Sequence, residues 1–326
     1  MSSGDRQLRE PFRVHVLFDA PVKCPVSELF DGAAGRFPGL DWDLNAAGRP
    51  EIDSEAVTFA VDAGADEPVR GMTKIAGVPG PCPASWREAL ATSQMSFPNA
   101  AEVVARHTDH LSITVAAPRL DTSLAARFDA ARRATCLGAV LAQLPQASAV
   151  YFPSSELLVR PAQWDVAAET AMRGEVPILE WIGLNATTFQ WDGLLPEPIT
   201  VATLGMAAFT GHEIVMPKVR LPMFEAAEWV GVSVRMLMES DHVFRDGDTL
   251  GFEGGDKPIR LRHVSEGQLG MRTPAWALFH DASLLDDVVH CGIPRERRVA
   301  QAGDDIMIGD WNALKKKLYC FVAGGY

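Results

Sequence analysis

Polar and apolar residues alternate near the start of the chain. Val14, Val16 and Phe18 fall on one side of an extended segment, with His15 and Leu17 on the other, because successive side chains of a strand point to opposite faces. The period then becomes helical. Val26, Leu29, Phe30 and Ala33 recur at helix spacing, with Pro25 and Ser27 at the start and Gly35 at the end. Residues 57–61 alternate again, 69–75 read as their strand partner, and Ala63-Gly64-Ala65-Asp66 supplies the turn. Prolines at 79, 81 and 83 remove backbone donors, which predicts no regular structure over 77–83. Helices are expected over 84–90 and 99–107, the second with Asn99 as N-cap and Glu102 closing a capping box. A strand over 111–115 completes a β-α-β-β-α-β order, that of a ferredoxin-like sandwich. The predicted core holds Val14, Val16, Phe18, Leu29, Phe59, Val61, Ile75, Val103, Leu111, Ile113 and Val115.

A long helix over 121–144, capped by Asp121 or Thr122, carries Leu124, Phe128, Ala131, Leu137 and Leu141 on one broad face. The order then restarts with a strand at 149–152, a helix at 161–172 and strands at 176–184 and 187–191. A helical turn at 203–209 and a strand at 213–216 close a second β-α-β-β-α-β series. Trp181 and Trp191 are expected on its neighbouring strands. A helix at 223–238, a D-G turn within 245–251 and a strand at 259–263 follow. The tail reads as helices near 294–301 and 310–317, then an apolar strand over 318–322. The expected class is therefore α+β: an arm (1–12), two ferredoxin-like units (13–117 and 118–265) and a C-terminal extension (266–326) that packs back on the sheets.

Composition narrows the function. Thirty Lys and Arg against 42 Asp and Glu leave a net charge of −12, and no basic stripe interrupts it, so nucleic acid is not an expected partner. The uncharged stretch 134–155 contains Pro145, Gln143 and Gln146 and reads as a helix end and a buried strand, not a membrane span. Asp5, Arg6, Arg9 and Glu10 precede any apolar run, unlike a secretory signal. The five cysteines are dispersed, without a C-x-x-C pair, which favours reduced thiols over disulfides or a zinc knuckle. A cytoplasmic address is expected.

Several runs, taken in order, resemble a bacterial family known as domain of unknown function 4261. They are Gly77 to Pro81, Phe97-Pro98 leading to Arg106 to Leu111, Ala149 to Ser155, Thr203 to Pro217 and Asp246 to Gly251. The resemblance covers about residues 70–265. It implies a bacterial origin and, from relatives near interbacterial toxin systems, an immunity or adaptor role.

Motifs for chemistry are sparse. The chain has no P-loop, no dinucleotide-binding glycine pattern on a βα turn, no nucleophile elbow and no H-E-x-x-H. The exception is His107-Thr108-Asp109-His110, whose imidazoles three residues apart share a helix face and, with His212 and Glu213, make up a metal-ligand set. The competing reading is structural: His107 ends a helix, where a cation suits the dipole, and His110 opens a strand with its ring hydrogen-bonded. That reading is preferred, so no cofactor is expected. Asp246 to Gly251 resembles a fragment of a calcium loop but lacks its ligand register, and a hairpin turn is expected. Cys82, between two prolines, is expected to be exposed. Trp164, Trp181 and Trp191 with Phe152 are expected in the core ahead of a ligand cleft. The leading expectation is a non-enzymatic interaction protein, possessing a protein partner such as a basic toxin or secretion component. The alternative is a metal-dependent hydrolase or lyase using His107, His110, His212 and Glu213.

Overall fold

The structure is a computed structural model describing residues 3–22, 24–38, 40, 51–52, 56–60, 72–78, 80–93, 96–117, 122–188, 198–239, 244–252, 259–279 and 305–308. It is α+β, and its chain divides into two compact units. One comprises Arg6–Gly183; the other comprises Leu184–Tyr326 together with Met1–Asp5. The division at 183/184 replaces the boundary expected at 117/118. The reason is long-range pairing: the strand expected to open a second unit instead completes the first sheet.

A short helix α1 (Ser3–Gln7) precedes β1 (Phe12–Phe18). The expected arm is held, because Arg127 donates to the carbonyls of Glu10 and Gln7 and lies over the Phe12 ring at 4.2 Å. The first unit continues with β2 (Cys24–Pro25), α2 (Val26–Arg36), β3 (Glu51–Ile52), β4 (Ala56–Ala60) and β5 (Met72–Val78). Next come α3 (Trp86–Ser93), α4 (Ala100–Arg106), β6 (Asp109–Val115), α5 (Leu124–Leu141), β7 (Ala147–Phe152), β8 (Leu157–Val159) and α6 (Pro161–Met172). A short helix α7 (Ile178–Trp181) ends it, where a strand was expected.

Six strands form one sheet in the order β4-β5-β6-β1-β7-β8, and each neighbouring pair is antiparallel. A ferredoxin-like sandwich interleaves its strands as a split β-α-β, with parallel crossovers. Here β4, β5 and β6 form a meander instead, and β1 lies between β6 and β7.

The alternation predicted for β1 decides which side of this sheet is dry. Val14, Val16 and Phe18 are fully buried with Ile75, Leu111, Ile113 and Val115, as expected. Helix α5 packs across this face. Its Gly138 permits the approach: a Cβ there would lie 2.9 Å from Val14 Cγ1 and 2.7 Å from Trp164 Nε1. Ser123, not Asp121 or Thr122, caps α5 by accepting from the Ala126 N–H. Thr135 ties two buried tryptophans together, its carbonyl accepting from Trp164 Nε1 (3.1 Å) and its hydroxyl from Trp181 Nε1 (2.9 Å). Trp181 therefore belongs to a helix in the core and not to a strand pair. Trp191, Val61 and residues 309–326 lie outside the described residues, as do the expected tail helices and strand.

The second unit contains β9 (Gly183–Thr188), β10 (Ile199–Leu204), α8 (Ala207–Thr210), β11 (Glu213–Val219) and α9 (Met223–Glu239). It also holds β12 (Thr249–Phe252), β13 (Ile259–Val264), β14 (Ala275–Phe279) and β15 (Asp305–Ile308). Seven strands pair in the order β15-β12-β13-β14-β11-β10-β9. The sheet is mixed, since β11 runs parallel to β14 and β12 parallel to β15. No described helix is long and apolar enough to cross a membrane.

Candidate metal centre

The second face of the first sheet carries the chemistry. Antiparallel register sets its residues in rows across the strands. One row reads Lys74, Thr114, Arg13; the next reads Ala76, Ser112, His15, Tyr151; the third reads Val78, His110, Leu17, Ala149. Helices α3 and α4 cover part of this face, where Leu17, Ala149, Tyr151 and Leu158 pack with Cys82, Ala89, Phe97, Ala100 and Val103. The prolines around Cys82 send the chain out of β5 and over the sheet. Cys82 is thereby brought inside, only 4% exposed, contrary to the expectation of an exposed thiol.

Gly80 makes that loop work. Its φ of +98° is a conformation open to glycine and strained for other residues. There its N–H donates to Asp109 Oδ1 (3.2 Å) and its carbonyl receives His110 Nδ1 (3.1 Å). A carbonyl only accepts, so His110 carries its proton on Nδ1 and keeps a lone pair on Nε2. A ring nitrogen fixed by a backbone carbonyl is the arrangement that orients an imidazole as a metal ligand through its other nitrogen.

His15, Cys82 and His110 converge: one ligand atom from each lies within 4.8 Å of the others. His15 Nδ1 is buried and, among the described residues, has no hydrogen-bond partner. A buried polar atom without a partner costs about 1–3 kcal/mol. Among the described residues the ring is held by ring contacts, stacking on Tyr151 (centroids 5.9 Å, 19° between planes) and meeting His110 edge-on at 5.6 Å. Burial lowers the proton affinity of both rings: it takes His15, with help from His110 and Arg13, from 6.5 to about 4, and it moves His110 in the same direction. Both are neutral near pH 7, the form in which imidazole binds metal. Burial pushes the Cys82 thiol up to about 11. Such a thiol is a poor nucleophile, and a metal is the agent that removes its proton.

The four residues singled out by sequence are placed differently. His107 caps the C-terminus of α4, and both ring nitrogens are engaged: Nδ1 with the Val104 carbonyl (2.5 Å), Nε2 accepting the Cys82 N–H (3.0 Å). It anchors the cysteine's backbone. The expected capping box at the other end of α4 is absent, since the Asn99 side chain makes no cap hydrogen bond. His110 joins the cluster. His212 and Glu213 belong to the second unit. His212 directs Nδ1 to the Thr210 carbonyl and Nε2 to His263 Nε2 (3.2 Å), with Trp276 against both rings. Glu213 is buried, and its carboxylate accepts from the N–H groups of Gly205 (2.9 Å), Met206 (3.1 Å) and Ala207 (3.2 Å) and from the Thr203 hydroxyl. Burial raises its proton affinity, and these four donors oppose that rise. It serves as the structural cap of the β10–β11 connection. Asp246 and Gly247 make a turn, with Asp248 accepting from Arg245 N and Asp246 from His263 N, but it leads into β12 and, among the described residues, no strand precedes it, so it is not the hairpin turn expected.

Sequence reasoning missed His15 and Cys82. A polar residue within the apolar run Val14–Phe18 was the signal for the first; for the second there was only a cysteine in a proline loop. No family model, curated protein or solved structure matches this chain.

Proposed function

We propose that this protein binds one divalent transition-metal ion of the zinc class in its first unit, through His15, Cys82 and His110. The convergence of these three side chains, with His15 Nδ1 left unpartnered, carries this reading. Two neutral imidazoles and a thiolate suit a borderline-soft ion, whereas magnesium or calcium would call for oxygen ligands. Three protein ligands leave one position of a tetrahedron free, the pattern of sites where the ion acts as a Lewis acid on a bound oxygen. This keeps the metal-dependent alternative raised by the sequence and replaces three of its four ligands.

The test is metal content of protein purified without a histidine tag and equilibrated with zinc. About one equivalent is expected in the wild type, and less than about a tenth in Cys82→Ser, with the fold retained by circular dichroism. A wild type that takes up less than about a tenth of an equivalent would end the proposal.

A further inference from the structure

One row along the same sheet face from His15 stand two cations. Arg13, on β1, and Lys74, on β5, flank Thr114 of β6 in register, and all three belong to the side that bears His15 and His110. Arg13 is exposed, and Lys74, Ser112 and Thr114 are partly so, in contrast to buried Cys82 and His110. The cluster is therefore reached from the His15 side. Among the described residues neither Arg13 nor Lys74 has an ion-pair partner, in a chain whose net charge is −12. Around the His15 cluster, Glu156 accepts from the Tyr151 hydroxyl (2.6 Å), Asp109 accepts from Gly80 N and the Thr108 hydroxyl, and the charge of Glu88 acts on Tyr151.

Same-face neighbours on a strand are about 7 Å apart, a distance that an arginine or lysine stem spans. An oxyanion above Thr114 thus lies within reach of both cations and within one row of the ion's free position. Charge selects among oxyanions. Two cations beside a divalent ion match a dianion better than a single carboxylate, and the guanidinium fork fits two phosphate oxygens.

Resting on the metal reading, we infer that Arg13 and Lys74, with the Thr114 and Ser112 hydroxyls, form the recognition half of the centre and bind the phosphate group of a small ligand, one of whose oxygens completes the ion's coordination. Cobalt(II) serves as the reporter, since its visible bands respond to thiolate ligation and to the fourth ligand. In cobalt-loaded wild type, inorganic phosphate should shift these bands with a Kd of about 1 mM or tighter. Arg13→Gln and Lys74→Gln should each weaken phosphate at least about fivefold and leave cobalt affinity within about twofold. Acetate, the single-carboxylate probe, should bind at least about fivefold more weakly than phosphate. Unchanged bands at about 10 mM phosphate, undiminished binding in both variants, or acetate equal to phosphate would each overturn the inference. A wild type that shows no thiolate–cobalt band fails at the earlier step, so the two failures are distinct.

Discussion

The His212–Glu213 cluster of the second unit and the His15–His110 cluster of the first hold their ionisable groups in opposite ways. Around Glu213 and His212 the hydrogen-bonding capacity is used up: Glu213 takes four donors, and His212 commits one ring nitrogen to a carbonyl and the other to His263. Around His15 and His110 it is left over. His15 Nδ1 has no partner among the described residues, and His110 keeps one nitrogen turned away from Gly80. A saturated buried polar group is a piece of architecture, because its desolvation is already offset. One held without a partner beside a thiol and a second imidazole costs stability until a ligand arrives. The residue types overlap in the two places; what separates them is whether the protein answers its own donors and acceptors.

The largest expected effect tests the saturated side. Glu213→Ala strands three backbone N–H groups and the Thr203 hydroxyl in a buried site, and should cost roughly 3 kcal/mol or more in urea denaturation. Zinc bound per folded molecule should be unchanged. If the variant is as stable as the parent but loses zinc, the assignment of the two units is reversed.

A smaller effect belongs to the unsatisfied side and depends on pH. His15 has its proton affinity lowered from 6.5 to about 4 on folding, so between these values the unfolded chain binds more protons. Stability of the metal-free protein should be full above about pH 6.5 and fall as acid takes it through 4, by at most about 3 kcal/mol from this group. His110 acts in the same direction. His15→Gln should flatten that limb when midpoints are compared across the window. An unchanged slope would mean that the ring is not buried as described.

The smallest effect is His212→Gln, which removes the contact with His263 while keeping polar atoms in place. About 1 kcal/mol of stability and no change in zinc content are expected by thermal melting and elemental analysis. Loss of metal in this variant would place a ligand in the wrong unit.

Local periodicity determined much of this protein. Alternation over 14–18 separated Val14, Val16 and Phe18 from His15 and Leu17, and helical spacing anticipated α2, α6 and α9 within a few residues. Both signals arise within a few residues of chain and survive any arrangement of the elements. The proline run announced a break after β5, and the pair at 107 and 110 drew attention to the right corner. Tertiary structure alone decided the rest. That β1 takes β6 on one edge and β7 on the other, moving the division from 117 to 183, follows from pairings between segments about 100 residues apart or more. Which edge a strand chooses depends on shape and burial across the sheet, and nothing in a strand's own pattern encodes it. The centre is assembled the same way. His15 and His110 become neighbours through sheet register, and Cys82 meets them because Gly80 turns the loop inward against His107 and Asp109. Three ligands from three separate segments have no spacing to read, since their geometry exists only once the strands are paired.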